Sequence, residues 1–317
     1  MKALVTGAAG FIGSHLSEAL TASGAEVVGV DCFTDYYGRD VKERNLSALR
    51  NQAGFRFVEA PLQTTPLEPL LDGVTHVFHL AAQAGVRKSW GDDFRTYTSH
   101  NIDATQRLLE AVKGRPLHRF VYASSSSVYG DVAAIPMRED AYLQPLSPYG
   151  VTKLAAEHLC HLYFANYGVP TVSLRFFTVY GPRQRPDMAF HRFIRAILSG
   201  QPISLYGDGE QTRDFTFIAD IVAATMAAGD RGTPGAVYNI GGGSRVSVLE
   251  VLDLVAKLTG HPLQIHREET QKGDMRDTFA DTSRARADLG FNPRYTLERG
   301  LADECAWLAG LVGAERR

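Results

Sequence analysis

Along the first half of the chain, short apolar runs alternate with stretches whose apolar positions recur at helical spacing, the signature of parallel βαβ units. The runs are Ala3–Thr6, Glu26–Asp31, Phe55–Glu59, His76–Leu80, Arg119–Ala123 and Thr171–Phe176. Most are apolar on successive rather than alternate positions, so they predict strands buried on both faces and a doubly wound α/β, Rossmann-type sheet. Between the fifth and sixth runs, Ser147 as cap and Pro148 in the first turn open a helix that runs to about Tyr167 and stops at Gly168 and Pro170. After Gly181 the texture changes to short helices and loops carrying Pro182, Pro186, Pro202, Pro234, Pro262 and Pro293, with Gly-rich turns at 207–209 and 241–243. We read residues 1–180 as one sheet-based domain and 181–317 as a smaller second domain, with the strand-like run Ala236–Ile240 a candidate to return to the main sheet.

Composition narrows the classes. A chain of 317 residues allows about two domains at roughly 150 residues each. With 44% apolar and 21% charged residues it is globular, and its net charge of −2 advertises no nucleic-acid partner. Its apolar stretches fall short of the ~18 residues that a membrane span needs. Cys32, Cys160 and Cys305 fit neither a disulfide framework nor a zinc spacing, and the ten histidines show no ligand spacing, so no metal is expected. The first residues run straight into a strand, leaving no room for a signal peptide, and the expected compartment is the cytoplasm.

The first strand is followed at once by Gly7-Ala8-Ala9-Gly10-Phe11-Ile12-Gly13 and a helical run. Glycines there let the backbone turn tightly and approach a pyrophosphate, which the helix N-terminus attracts. Asp31 ends the second strand, 24 residues after Gly7, where a carboxylate would accept bonds from the adenosine ribose hydroxyls. No Arg or Lys occurs between Val27 and Gly38 to neutralise a 2′-phosphate, so the expected cofactor is NAD rather than NADP.

Chemistry is carried by Ser124-Ser125-Ser126-Ser127-Val128-Tyr129-Gly130 at the end of the fifth run, and by Tyr149 and Lys153 on the long helix. Spacing i, i+4 stacks Tyr149 and Lys153 on one helix face. Ligands in open α/β sheets bind outside the carboxyl ends of the strands, where the serine run ends. A tyrosine with a pKa of about 10 is a poor base at neutral pH, but an ammonium and a cationic nicotinamide would both favour its phenolate.

On these motifs the chain resembles the extended short-chain dehydrogenases/reductases, and among them the nucleotide-sugar 4-epimerases. The resemblance implies bound NAD, a proton transfer by Tyr149 at the sugar's carbon-4 hydroxyl, and a 4-keto sugar that turns over before reduction on its other face. It assigns Ser125, Tyr149 and Lys153 as catalytic. It assigns Gly7, Gly10, Phe11, Ile12, Gly13, Asp31, Leu80, Ala81, Ala82, Asn101, Ser124, Tyr149 and Lys153 to the cofactor, with Lys153 gripping the nicotinamide ribose and Asn101 either structural or cofactor-facing, and implies a homodimer through the long helix. Where relatives carry an Asp that contacts adenine, this chain has Ala60-Pro61-Leu62, which leaves adenine to backbone groups near Leu62.

On the substrate side, Arg185, Arg192, Arg213, Arg276 and Arg245 are candidates for phosphate, which the planar guanidinium pairs bidentately. The resemblance selects Arg213 and Arg276 for the diphosphate, Arg192 for the nucleotide flank and Leu205-Tyr206 for the uracil, and leaves Arg245 on the surface. The run Phe177-Thr178-Val179-Tyr180-Gly181-Pro182, with Arg185-Pro186-Asp187-Met188 after it, looks like that of UDP-glucuronate 4-epimerases. Thr178 and Arg185, with Ser126 and Ser127, would then hold the sugar carboxylate, and UDP-glucuronate and UDP-galacturonate would be interconverted. The alternatives are a UDP-glucose 4-epimerase, a UDP-glucuronate decarboxylase, which usually has an acid where Ser127 stands, and a non-catalytic NAD-sensing module.

Overall fold

Each predicted run forms a strand, and the helices between them cover the two faces of one sheet. The computed structural model describes residues 1–131, 134–269 and 273–315. In chain order the first half contains β1 (Lys2–Thr6), α1 (Phe11–Ala22), β2 (Glu26–Asp31), α2 (Arg39–Leu46), β3 (Phe55–Glu59), β4 (His76–His79), α3 (Phe94–Tyr97), α4 (Ala104–Val112), β5 (Arg119–Ser125), α5 (Pro148–Tyr167) and β6 (Thr171–Phe176). The second half adds β7 (Val179–Tyr180), α6 (Ala189–Leu198), β8 (Ile203–Tyr206), β9 (Thr212–Asp214), β10 (Thr216–Phe217), α7 (Ile218–Arg231), β11 (Val237–Ile240), β12 (Arg245–Ser247), α8 (Val248–Thr259), β13 (Ile265–Glu268), α9 (Ser283–Leu289) and α10 (Leu297–Glu315).

The main sheet is parallel, with strand order β11-β6-β5-β4-β1-β2-β3. Alternate residues of β1 serve different cores: Leu4 packs with Leu108, Leu109 and Ala156 of α4 and α5, while Ala3 and Val5 share a core with Leu16, Leu20, Ile221 and Ala228 of α1 and α7. Strand order reverses between β1 and β4, opening a crevice at the carboxyl ends, where Thr6 pairs with His79 and His79 with Tyr122, and β5 runs on three residues to Ser125. A ligand belongs at that switch point.

The long helix α5 begins and ends as its sequence dictates. Ser147 Oγ accepts the Gly150 N–H at 3.1 Å, Pro148 occupies the first turn, and Gly168 closes the helix in the left-handed conformation. Beyond residue 180 the expectation of short helices fails: α7 has 14 residues and α10 has 19. Both lie on large apolar surfaces, α7 beside α1 against the sheet and α10 across α6 and α8, and packing of a long apolar stripe sustains a long helix whatever its flanking prolines suggest. The small β-pairings were not legible at all. β13 runs parallel to β8 and β12 antiparallel to β9, in segments of three or four residues too short to show a period.

Candidate active site

A cavity of about 880 Å³ runs along the carboxyl ends of β1, β2, β4 and β5 and under the second half of the chain. Its lining includes Gly7, Gly10, Phe11, Ile12, Gly13, Asp31, Leu80, Ala81 and Ala82 at one end, Ser124 to Ser127, Tyr149 and Lys153 in the middle, and Thr178, Arg185, Arg192 and Tyr206 at the other. Of the residues selected from the sequence for cofactor or substrate, Asn101, Leu205, Arg213 and Arg276 do not line it.

The glycine turn meets a geometric demand. Gly7 has φ +73°, and a Cβ there would come within 2.9 Å of the Ala81 amide across the switch point. A Cβ on Gly13 would sit 2.0 Å from the Gly7 carbonyl oxygen. Helix α1 therefore starts hard against β1, its cap Gly10 supplies no side chain, and the amides of Phe11, Ile12 and Gly13 have no partner among the described residues. Unpaired donors at a helix N-terminus in a cavity wall fit a pyrophosphate. Asp31 is held for ribose recognition, its carboxylate accepting from the Ala9 amide at 3.2 Å and the Phe33 amide at 2.9 Å. Together these features fit NAD.

Asp31 has a basic neighbour, contrary to the expectation from sequence. Lys42, buried on α2, brings its Nζ to 3.6 Å from Asp31 and bonds the Thr34 carbonyl and hydroxyl. Lys42 lies beyond Gly38 in sequence and reaches back from the next helix. Asn101 is also corrected to a structural residue. Its side-chain amide brackets the Gln83 backbone, accepting its N–H at 2.7 Å and donating to its carbonyl, and donates to Thr152 on α5. It shapes the loop after β4 and has no free group for a cofactor. Ala60, Leu62 and Gln63 line the cavity where adenine recognition was assigned to backbone, while the Pro61 carbonyl is taken by the amides of Thr64 and Thr65.

At the centre, two backbone features bring the serine run and α5 together. Ser125 Oγ accepts the Ser127 N–H at 3.2 Å, folding residues 126–128 into a 3-10 turn and leaving its own proton to donate. Gly150 lets α5 close on that turn, since a Cβ there would lie 2.6 Å from the Ser127 carbonyl oxygen. Tyr149 packs edge-on against Tyr97, whose hydroxyl is tied to the Ala84 and Gly85 carbonyls. Burial raises the Tyr149 pKa, while the Ser125 hydroxyl and the Arg185 guanidinium pull it back. Lys153 donates to the Ala123 carbonyl at 2.7 Å, and burial lowers its pKa to about 7.

Behind this centre lies a buried network that sequence reasoning missed. Ser124 Oγ donates to Glu157, one turn beyond Lys153 on α5. Glu157 is paired bidentately by Arg175 of β6, which also reaches the Tyr129 hydroxyl, and that hydroxyl donates to Asn239 of β11. The i, i+4, i+8 spacing of Tyr149, Lys153 and Glu157 was the available signal.

On the substrate side, Arg185 pairs bidentately with Asp187, Nε and Nη2 each 2.9 Å from a carboxylate oxygen, in the cavity wall. Burial alone would lower the Arg185 pKa, but Asp187 raises it; burial would likewise raise Asp187, and Arg185 holds it below the usual carboxylate value. Arg213 spends its guanidinium on the carbonyls of Thr212, Met275 and Arg276, and Arg276 lies exposed, 3.4 Å from Asp208. Neither guanidinium lines the cavity in this structure. Arg87 does line the cavity, pairing with Asp274 at 2.8 Å and lying 4.3 Å above the Tyr206 ring, with Lys88 beside it. Its position just after β4, at the switch point, was the signal. Arg245 pairs with Asp277 at the surface, Leu205 is buried away from the cavity, and His79 sits between Thr6 and Thr105 in the core. No group of three or more potential ligands for a metal occurs among the described residues.

A parallel sheet with its glycine cradle at the switch point, and a Ser, Tyr and Lys converging beside it, define a Rossmann enzyme of the short-chain dehydrogenase/reductase type. The chain belongs to the NAD dependent epimerase/dehydratase family, whose profile matches residues 3–241. It is 47% identical over 317 residues to a Bacillus subtilis protein named an uncharacterized UDP-glucose epimerase, covering 99% of this chain and 100% of that one. It is 37% identical over 309 residues to the UDP-glucuronate 4-epimerase of Thermodesulfobacterium geofontis, covering 96% and 95%. Among solved structures, the UDP-glucuronic acid 4-epimerase of Bacillus cereus in complex with UDP-glucuronic acid and NAD superimposes with a TM-score of 0.96 at 45% identity, over 98% of this chain and all of that one.

Proposed function

We propose that this chain is an NAD-dependent UDP-sugar 4-epimerase that interconverts UDP-glucuronate and UDP-galacturonate. The observation that carries the sugar assignment is Arg185, a guanidinium fixed in the same cavity wall as Ser126, Ser127 and Thr178, next to Tyr149 and Ser125. A sugar carboxylate finds there a charged partner and hydroxyl donors, whereas a hydroxymethyl group would form no ion pair with the guanidinium. The relatives named for UDP-glucuronate and the complex with that ligand support the reading.

Bound NAD would supply the hydride acceptor beside carbon 4 and a positive charge that favours the Tyr149 phenolate. Tyr149 takes the proton from the carbon-4 hydroxyl, Ser125 donates to the same oxygen, and Lys153 offsets the charge on the phenolate. After the 4-keto sugar has turned over, Tyr149 returns the proton. Between those steps glucuronate is a β-keto acid, which loses carbon dioxide when its carboxylate aligns with the ketone. Arg185 and Thr178 hold the carboxylate out of that alignment, and Ser127, standing where decarboxylating relatives usually have an acid, supplies no proton for the side reaction.

The sugar part is residues 181–317, and residues 1–180 with β11 hold the cofactor. We take the enzyme to be a cytoplasmic homodimer paired through α5, which exposes Val151, Leu162 and Tyr167. No helix among the described residues is long and apolar enough to cross a membrane. Incubation with UDP-glucuronate and, separately, UDP-glucose, followed by NMR, tests the reading. Interconversion with UDP-galacturonate is expected; exclusive turnover of UDP-glucose, or a pentose product with carbon dioxide release, overturns it.

A further inference from the structure

Three aspartates line the cavity, and each is paired with a cation of the same wall: Asp31 with Lys42 at 3.6 Å, Asp274 with Arg87 at 2.8 Å and Asp187 with Arg185 at 2.9 Å. Asp187 is the one whose partner is assigned to the sugar carboxylate, so that residue has two claimants. Nε and Nη2 of Arg185 are engaged by Asp187, and Nη1 makes no hydrogen bond among the described residues. A carboxylate approaching Arg185 therefore meets one free edge of the guanidinium and, on the other edge, a like charge.

Asp187 is itself held from a third element. The Tyr36 hydroxyl, in the loop between β2 and α2, donates to Asp187 Oδ2 at 3.4 Å. The Tyr36 ring has a fixed seat: its hydroxyl lies against Gly85, where a Cβ would come within 2.1 Å, and Lys88 Nζ stands 5.1 Å from its centroid. Tyr36 thus spans from the loop that follows the ribose-binding Asp31 to the carboxylate end of the cavity.

We propose that Asp187, steadied by Tyr36, is a specificity-determining residue that competes with the sugar carboxylate for Arg185. It gives the half-buried guanidinium an anion when no carboxylate is bound, because a charge withdrawn from water without a partner is costly. It also weakens the grip on glucuronate, so that the sugar can be released to turn about its ring between the two half-reactions. Asp187 acts through Arg185 and is a positioning residue. The inference rests on the glucuronate reading above.

The test is Asp187→Asn, which removes the competing charge and keeps the shape. For UDP-glucuronate, KM and the calorimetric dissociation constant are expected to fall about tenfold, the scale of one charged hydrogen bond, while kcat falls with them. Binding of UDP-glucose is expected to be unchanged, which a merely structural role would not allow. Tyr36→Phe leaves Asp187 leaning harder on Arg185 and should weaken UDP-glucuronate binding by about twofold, the opposite sign; it covers the case in which Asp187→Asn does not fold. Weaker binding of both sugars by either variant, or a wild-type preference kept in full by Asp187→Asn, overturns the role of Asp187. Wild-type protein that binds UDP-glucuronate no better than UDP-glucose overturns the carboxylate reading itself, and this inference with it.

Discussion

The floor and the roof of the cavity use charge in opposite ways. In the floor, built from the strand ends and α5, polar groups are spent on the protein: Lys153 on the Ala123 carbonyl, Ser124 on Glu157, Glu157 on Arg175, all of them buried. In the roof, the pair of Arg87 with Asp274 keeps a third or more of each side chain in solvent. A floor wired to its own backbone keeps one geometry through the reaction, which proton transfer requires. A roof of half-exposed pairs can trade protein anions for the phosphates of an arriving ligand.

Substitutions should therefore separate into chemistry below and binding above. The largest effect is expected from Tyr149→Phe, a loss of about 10³-fold in kcat with KM little changed, read by steady-state kinetics. A comparable rise in KM would mean that the Tyr149 hydroxyl binds substrate as well as moving its proton. Gly13→Ala drives a Cβ into the Gly7 carbonyl, and overpacking of about 1–3 kcal/mol should appear as lost NAD affinity in calorimetry.

His79 makes the floor sensitive to acid. Burial lowers its pKa to about 3 from 6.5, so the unfolded chain takes up a proton that the folded one refuses. Its contribution is intact above pH 6.5 and is lost as pH falls toward 3, at about 1.4 kcal/mol per pH unit. Between pH 6.5 and 5 the wild type should lose about 2 kcal/mol more in urea titrations than His79→Gln. Smaller still, Arg87→Ala should raise the KM for the nucleotide sugar about tenfold with kcat nearly unchanged. Arg276→Ala, acting on an exposed pair outside the cavity wall, should stay within about twofold; equal effects of the two would mean that Arg276 meets the ligand as well.

The floor was the more legible half. Strands buried on both faces announce themselves as unbroken apolar runs, and the ends of α5 follow from Ser147, Pro148 and Gly168. The glycine cradle and the Ser125, Tyr149 and Lys153 set could be read because local backbone rules and helical spacing fix them. The roof depends on partners distant in sequence: Asp274 is 187 residues from Arg87, and Tyr36 is 151 from Asp187. Whether Arg213 faces a ligand or the Met275 carbonyl is decided by packing, and no periodicity records it. Lys42 escaped for the same reason, since it reaches Asp31 from the next helix.

The return of β11 to pair with β6 bears on how the chain acquires its structure. The sheet that holds the cofactor is not complete when residue 180 has been synthesised. Until 237–240 arrive, β6 presents an open edge, and Tyr129 lacks the Asn239 acceptor that ends the Arg175 network. A strand added across some sixty intervening residues is a contact of high sequence separation, slow to form and exposed to pairing with other chains meanwhile. The two halves consequently behave as one cooperative folding unit, and a polypeptide ended after β6 would be a template for aggregation rather than a free-standing dinucleotide-binding module.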